Sequence, residues 1–168
     1  LSRIRHDGVV SLISRPASDD YLIVEYVGGP TLRQLPYHPE GILMLALDIC
    51  DALSAVHSAG VIHRDLKPEN VLIAPRATSN VALIDFGSAR LDSPDFDDPY
   101  SGSPVGTADY MSPEAAESGL WADERSDMFS LAAVLYASLA GTRPFAIDPD
   151  VDFTIAVGLR KSMKPKPL

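Results

Sequence analysis

The sequence predicts an α+β domain, and three observations carry that prediction. Short runs rich in Val, Ile and Tyr come in two pairs, each bracketing a polar, turn-forming stretch. One longer segment spaces its apolar residues as a helix does, and a second is apolar nearly all round, as a buried helix is. The 14 prolines fall between these segments rather than inside them and read as punctuation. With 168 residues, 46% hydrophobic and 22% charged, the composition is that of one soluble globular unit with a real core.

Taken in order, Val9 to Ile13 and Tyr21 to Val27 flank the turn-forming Arg15-Pro16-Ala17-Ser18-Asp19-Asp20 and read as a first hairpin. Gly28-Gly29-Pro30 stops the second run and marks a hinge or linker. From Glu40 to Ser58, Ile42, Leu45, Ala46, Ile49, Leu53 and Val56 recur at three- and four-residue steps, with Gly60 as the stop signal. That is an amphipathic helix of about five turns. Val71-Leu72-Ile73 and Val81-Ala82-Leu83-Ile84 flank the polar loop Pro75 to Asn80 and predict a second hairpin. Asp92 to Pro104, with Asp92, Asp95, Asp97 and Asp98 and almost no apolar periodicity, reads as a mobile acidic loop. Met128 to Ala140 is apolar nearly all round, as a helix buried on several sides should be, and Gly141 ends it. After Pro144 the pattern weakens into a basic tail, Lys161 to Leu168, expected to fray.

The balance of 14 basic against 23 acidic residues gives a formal charge of −9, which argues against non-specific nucleic-acid binding. The single cysteine, Cys50, has apolar neighbours and reads as a packed thiol. No run reaches the ~20 apolar residues of a membrane span; Met128 to Ala140 comes nearest and reads as a core helix. The N-terminus has no signal-peptide pattern, and the expected location is cytoplasmic. The chain opens with Leu1 in the middle of an apolar pattern, so a piece of something longer is expected.

The chemically capable residues cluster around the second hairpin. His63-Arg64-Asp65-Leu66-Lys67-Pro68-Glu69-Asn70 lies on the loop between the long helix and that hairpin, with the spacing H-R-D-x-x-x-x-N. Asp85-Phe86-Gly87 follows the hairpin, and Gly106-Thr107-Ala108-Asp109-Tyr110-Met111-Ser112-Pro113-Glu114 comes further on. Singly, Asp65, Asn70 and Asp85 read as loop or turn caps. In this order, the three motifs resemble those of the eukaryotic-like serine/threonine protein kinase family, from Leu1 to about Phe145.

The resemblance implies a two-lobe, protein-kinase-like fold, mainly the helical large lobe and truncated at both ends. Residues 1–27 would be a small-lobe remnant with the hinge, and 28–168 an incomplete large lobe. It implies transfer of the ATP γ-phosphate to serine or threonine of protein substrates. Such a transfer needs Mg²⁺ to neutralise phosphate charge and a group to orient the attacking hydroxyl. By resemblance Asp65 takes the hydroxyl proton, Lys67 reaches the transferred phosphate, and Asn70 and Asp85 hold Mg²⁺ through hard oxygen ligands. Glu25 to Val27 match the hinge strand, whose backbone binds adenine, with Val24 as gatekeeper and Leu72 and Ile84 flanking the base.

Leu1, Leu12, His63 and Phe86 match the apolar column between the lobes, and Asp127 its anchor. Lys67 with Gly106-Thr107 points to serine/threonine rather than tyrosine, with Thr107 bonding near Asp65 and Lys67. Arg64 is expected to dock a phosphate on Ser103, ahead of Ser101 and Tyr100, while like charge keeps the acidic run away. Ser112, Phe129 and Ala132 depart mildly from the family pattern. More important, the chain has no glycine-rich loop, no strand lysine and no helix glutamate, and it ends before the usual arginine partner of Glu114. A fragment inactive by itself is therefore expected. Two rivals stand beside this reading: a pseudokinase or scaffold that binds without catalysis, and a small-molecule kinase, which the segment Gly106 to Glu114 disfavours.

Overall fold

The computed structural model describes residues 1–16, 21–35, 39–93, 97–145, 147–148 and 150–167. Residues 17–20 of the first turn, Asp95 of the acidic run and Leu168 of the tail lie outside the described residues. Among the described residues, six short strands and four α-helices succeed one another: β1 (Leu12–Ser14), β2 (Ile23–Val24), α1 (Pro39–Ser58), β3 (Val61–Ile62), β4 (Val71–Ile73), β5 (Val81–Leu83), β6 (Arg90–Leu91), α2 (Pro113–Glu117), α3 (Glu124–Ala140) and α4 (Phe153–Arg160). The strands form three antiparallel pairs, β1 with β2, β3 with β6 and β4 with β5.

The first hairpin is shorter than its apolar runs. Leu12 pairs with Val24 and Ser14 with Ile23 across an irregularity. The beginning of the first run turns instead toward β5, where Val10 N–H donates to the Leu83 carbonyl (3.0 Å) and Leu83 N–H to the Gly8 carbonyl (2.8 Å). Val9, 2% exposed, thereby enters the main core, which offers more apolar burial than a two-stranded ribbon.

The main core lies between α1, α3 and the β4–β5 hairpin. Ile49, Leu53 and Val56 from α1, Leu131 and Val134 from α3, and Val71, Val81 and Leu83 from the hairpin meet there. Gly60, at φ 69°, takes the left-handed turn after α1, and Gly141, at φ 66°, does so after α3. A capping box between Asp123 and Ser126 starts α3 four residues before its apolar run. Burial of α3 is uneven: α1 packs on one flank, Phe129 meets the Phe145 ring and the Arg160 guanidinium of α4, and Met128 and Leu139 stay exposed.

Among the described residues, Gly41–Ser58 of α1 is by length and composition the one helix apolar enough to cross a membrane, rather than Met128 to Ala140. Here Ile42, Leu45, Ile49, Ala52, Leu53 and Val56 of that stretch are buried. Its Asp48 accepts from Asn80, and its Asp51 is hydrogen-bonded to His6.

Four elements carry no clear sequence pattern. β3 and β6 are two residues each, too short for an alternation to register. Helix α2 is one turn, capped by Ser112, whose hydroxyl accepts from Ala115 N–H. Helix α4 interrupts the weak region beyond Pro144, burying Ala156 and Val157 in a second core with Met111 and Ala116 and Arg160 against the Phe129 and Phe145 rings.

Candidate active site

Two strand pairs bring the predicted residues together. The loop 63–70 leaves β3 and enters β4, and Asp85-Phe86-Gly87 leaves β5 toward β6. Since β3 pairs with β6 and β4 with β5, both loops emerge from one pinned frame. Ile84 N–H donates to the Asn70 carbonyl at 3.0 Å, setting Asn70 and Asp85 at the same end of the hairpin. Arg64 (φ 66°) and Asp85 (φ 61°) are non-glycine residues in the left-handed region. Such strain costs about 1–3 kcal/mol per residue and persists only where surroundings enforce it.

For Arg64 the enforcing group is Asp127, fully buried in the first turn of α3. Its Oδ1 accepts from Arg64 N–H (2.9 Å) and its Oδ2 from His63 N–H (2.9 Å), with His57 Nε2 2.8 Å from Oδ2. The backbone entering Asp65 is thus tied to the core helix. His63 is a packing residue: its ring lies 4.7 Å from that of Phe86, Nε2 donates to the Ile84 carbonyl (3.2 Å), and Nδ1 accepts from Asp65 N–H (3.4 Å).

Asp65 is the hub. Its Oδ2 accepts from Lys67 Nζ (2.7 Å) and Asn70 Nδ2 (3.2 Å), and its Oδ1 from Thr107 Oγ1 (2.8 Å). A carboxylate offers about four acceptor sites, so these three donors leave room for one more. Lys67 Nζ also reaches Thr107 Oγ1 at 3.2 Å. Gly106, at φ 114°, permits this approach, since a Cβ there would fall 2.5 Å from the Arg64 carbonyl oxygen.

Asn70 donates its amide to the Asp65 carbonyl (2.8 Å) as well as to the carboxylate. Its amide nitrogen so engaged, the side-chain oxygen is left as its acceptor. With the exposed Asp85 carboxylate, that makes a hard-oxygen pair suited to Mg²⁺, an ion that takes one or two carboxylates and completes its shell with phosphates and water. Gly87 N–H donates to Asp85 Oδ1 at 3.2 Å and holds the side chain.

Beside these residues opens a cleft of about 390 Å³ whose walls include Val24, Glu25, Val27, Leu72, Ile84 and Asp85. Leu1, Val10 and Phe86 also line it. An apolar slot edged by a backbone strand and ending at a carboxylate suits a flat heterocycle carrying an anionic tail. Lys67 and Asn70 lie outside its lining, at the Asp65 cluster.

The chain matches the family model "Protein kinase domain" over residues 1–164. It belongs to the protein kinase family. Among its relatives, the serine/threonine-protein kinase pkn3 of Myxococcus xanthus is 36% identical over 165 residues, covering 90% of this chain and 30% of that protein. Serine/threonine-protein kinase PknB of Mycobacterium leprae is 41% identical over 136 residues, covering 78% of this chain and 21% of its own. The chain spans under a third of the length of these relatives. The short sheets and helices agree with a protein kinase domain.

Between Asp85-Phe86-Gly87 and Glu114, the stretch that forms the activation segment of a protein kinase, one feature differs from the sequence reading. The acidic run is not held away from Arg64: Asp98 is buried against it, with Nη1 donating to Oδ2 (2.6 Å) and Nη2 to Oδ1 (3.1 Å). Opposite charge overrides the mutual repulsion among the aspartates because, of those described, Asp98 alone is drawn in, while Asp92 and Asp97 stay exposed. Ser101 and Ser103 are exposed. Glu114 also has a local partner, the Ser126 hydroxyl at 2.8 Å. Burial works to raise its pKa, but hydrogen bonds from Ser112, its own N–H and Ser126 hold it below the usual carboxylate range. The role of His57 had no sequence signal, since its Asp127 partner is 70 residues away.

Proposed function

We propose that the full-length protein to which this chain belongs transfers the γ-phosphate of ATP to serine or threonine hydroxyls of protein substrates. The observation that carries the reading is the Asp65 carboxylate, held by Lys67, Asn70 and Thr107 with acceptor capacity to spare. A substrate hydroxyl donates into that remaining site, which aims its oxygen at the γ-phosphorus. As the new oxygen–phosphorus bond forms and the bond to the ADP oxygen breaks, the hydroxyl proton passes to Asp65. Lys67 lies beside Asp65, where its ammonium offsets charge on the transferred group. Adenine would occupy the cleft against Leu72 and Ile84, below Val24 and along Glu25 to Val27.

Asn70 and Asp85 would hold Mg²⁺, which when bound neutralises charge on the phosphates. In this reading residues 1–27 are the end of the small lobe and the hinge, and 28–168 most of the large lobe. Dependence on ATP fits an intracellular location. A binding-only pseudokinase is less favoured, because Asp65, Lys67, Asn70 and Asp85 are all present in the large-lobe part of the site and the relatives are serine/threonine-protein kinases. The test is Asp65→Asn in the full-length protein with Mg-ATP and a basic protein substrate. Turnover should fall by about 10² to 10⁴ with the KM for ATP nearly unchanged, as expected for a group acting in the transition state. Undiminished turnover overturns the assignment.

A further inference from the structure

We propose that Asp98 is a positioning residue for this reaction: its carboxylate, clamped on Arg64, holds the activation segment against the catalytic loop 63–70 without any phosphate. The inference rests on the phosphoryl-transfer reading above. Arg64 precedes Asp65 in the chain, and its guanidinium is the tie between two loops. Nε donates to the Ser88 carbonyl (2.7 Å), just past Asp85-Phe86-Gly87, while Nη1 and Nη2 grip the two Asp98 oxygens at 2.6 and 3.1 Å. The side chains of Arg64 and Asp98 are 2% and 6% exposed. A two-pronged, charge-assisted pair in that setting is geometrically specific, and removing one partner strands a buried charge.

Asp98 also organises the residues immediately after it. Its Oδ1 accepts from Tyr100 N–H (3.0 Å) and its carbonyl from Ser101 N–H (2.9 Å), and the Arg64 guanidinium lies 5.9 Å from the Tyr100 ring centroid. A few residues on, Gly106 packs on the Arg64 carbonyl and Thr107 bonds Asp65. The segment is thus pinned at Ser88, Asp98 and Thr107, and Arg64 or its neighbour Asp65 is at each pin. A phosphate on Ser101 or Ser103 would have to displace a buried carboxylate that already neutralises the arginine.

The test uses the full-length protein. Wild type and S101A/S103A, both treated with a broad-specificity phosphatase that is then removed, should keep their untreated initial rate within about twofold, while D98N should lose roughly tenfold or more in kcat with the KM for ATP little changed. D98E, which restores the carboxylate, should regain much of the loss, which a merely structural role would not require. Hydrogen exchange supplies a readout independent of turnover: amides 97–107 should be protected in wild type and D65N and exposed in D98N. Loss of wild-type rate on dephosphorylation, or D98N with wild-type rate and protection, overturns the proposal. If D65N keeps full turnover, the phosphoryl-transfer reading fails, and the exchange pattern still decides whether Asp98 pins the segment.

Discussion

Replacing Asp127 should uncouple the catalytic loop from the core helix. The carboxylate is fully buried and accepts the backbone N–H groups of His63 and Arg64, both at 2.9 Å. In Asp127→Ala both donors lose their acceptor in a site closed to water. At about 1–3 kcal/mol for each unsatisfied buried group, the loss is about 2–6 kcal/mol. A domain has only about 5–15 kcal/mol in total. For a domain of this size the midpoint of thermal unfolding should fall on the order of 10 °C. Asp127→Asn keeps one acceptor oxygen and turns an NH₂ toward a donor, so its loss should be intermediate. Because the same bonds hold Arg64 in its left-handed conformation, kcat should fall in both variants even at temperatures where they remain folded. Thermal unfolding followed by circular dichroism, with initial-rate kinetics well below the midpoint, measures both effects. If Asp127→Ala melts within about 2 °C of wild type and turns over at the same rate, the anchor argument is wrong.

Asp85→Asn should weaken Mg-ATP binding, measured by calorimetric titration, whereas Asp65→Asn should leave that affinity nearly intact. Gly106→Ala places a Cβ 2.5 Å from the Arg64 carbonyl oxygen at a backbone φ of 114°; a fall in stability of about 1–3 kcal/mol on urea unfolding, with a fall in kcat, is expected. The Arg64 guanidinium beside Asp98 holds that carboxyl below its ordinary 3.8, burial opposing and the Tyr100 N–H and the Arg64 and Arg90 charges assisting. A depressed carboxyl contributes stability above its unfolded pKa and loses it as pH falls through the folded one. Exchange protection of residues 97–107 should therefore be flat from neutral pH down to the usual aspartate range and disappear only below it. Burial pushes the Tyr110 hydroxyl up from 10.0 to about 12. Its stabilising effect is intact below pH 10 and declines as pH climbs toward 12, so ultraviolet difference titration should find at least one tyrosine ionising two units late.

Local chemistry made much of this protein legible in its sequence. The three- and four-residue steps from Ile42 to Val56 specify α1, because a helix repeats on that period and one face must be buried. The paired runs at Val71 and Val81 specify β4 and β5, which are joined by a short polar loop. The motif spacings nominated Asp65, Lys67, Asn70 and Asp85, and the fold sets them on two short loops at one end of that hairpin. The bond between Thr107 and Asp65 also agrees with the motif expectation.

Tertiary structure decided the rest. Val61 pairs with Leu91, and Asp127 reaches back 70 residues to His57. Asp98 lies 34 residues from Arg64. None of these contacts has a period or a flanking signal, since strands of two residues cannot display an alternation and a single ion pair has no repeat. The aspartates 92, 97 and 98 are chemically equivalent as sequence. Chain geometry brings only the last against the buried arginine, and the low-dielectric surroundings then make that one contact strong enough to turn an acidic loop into an anchored one.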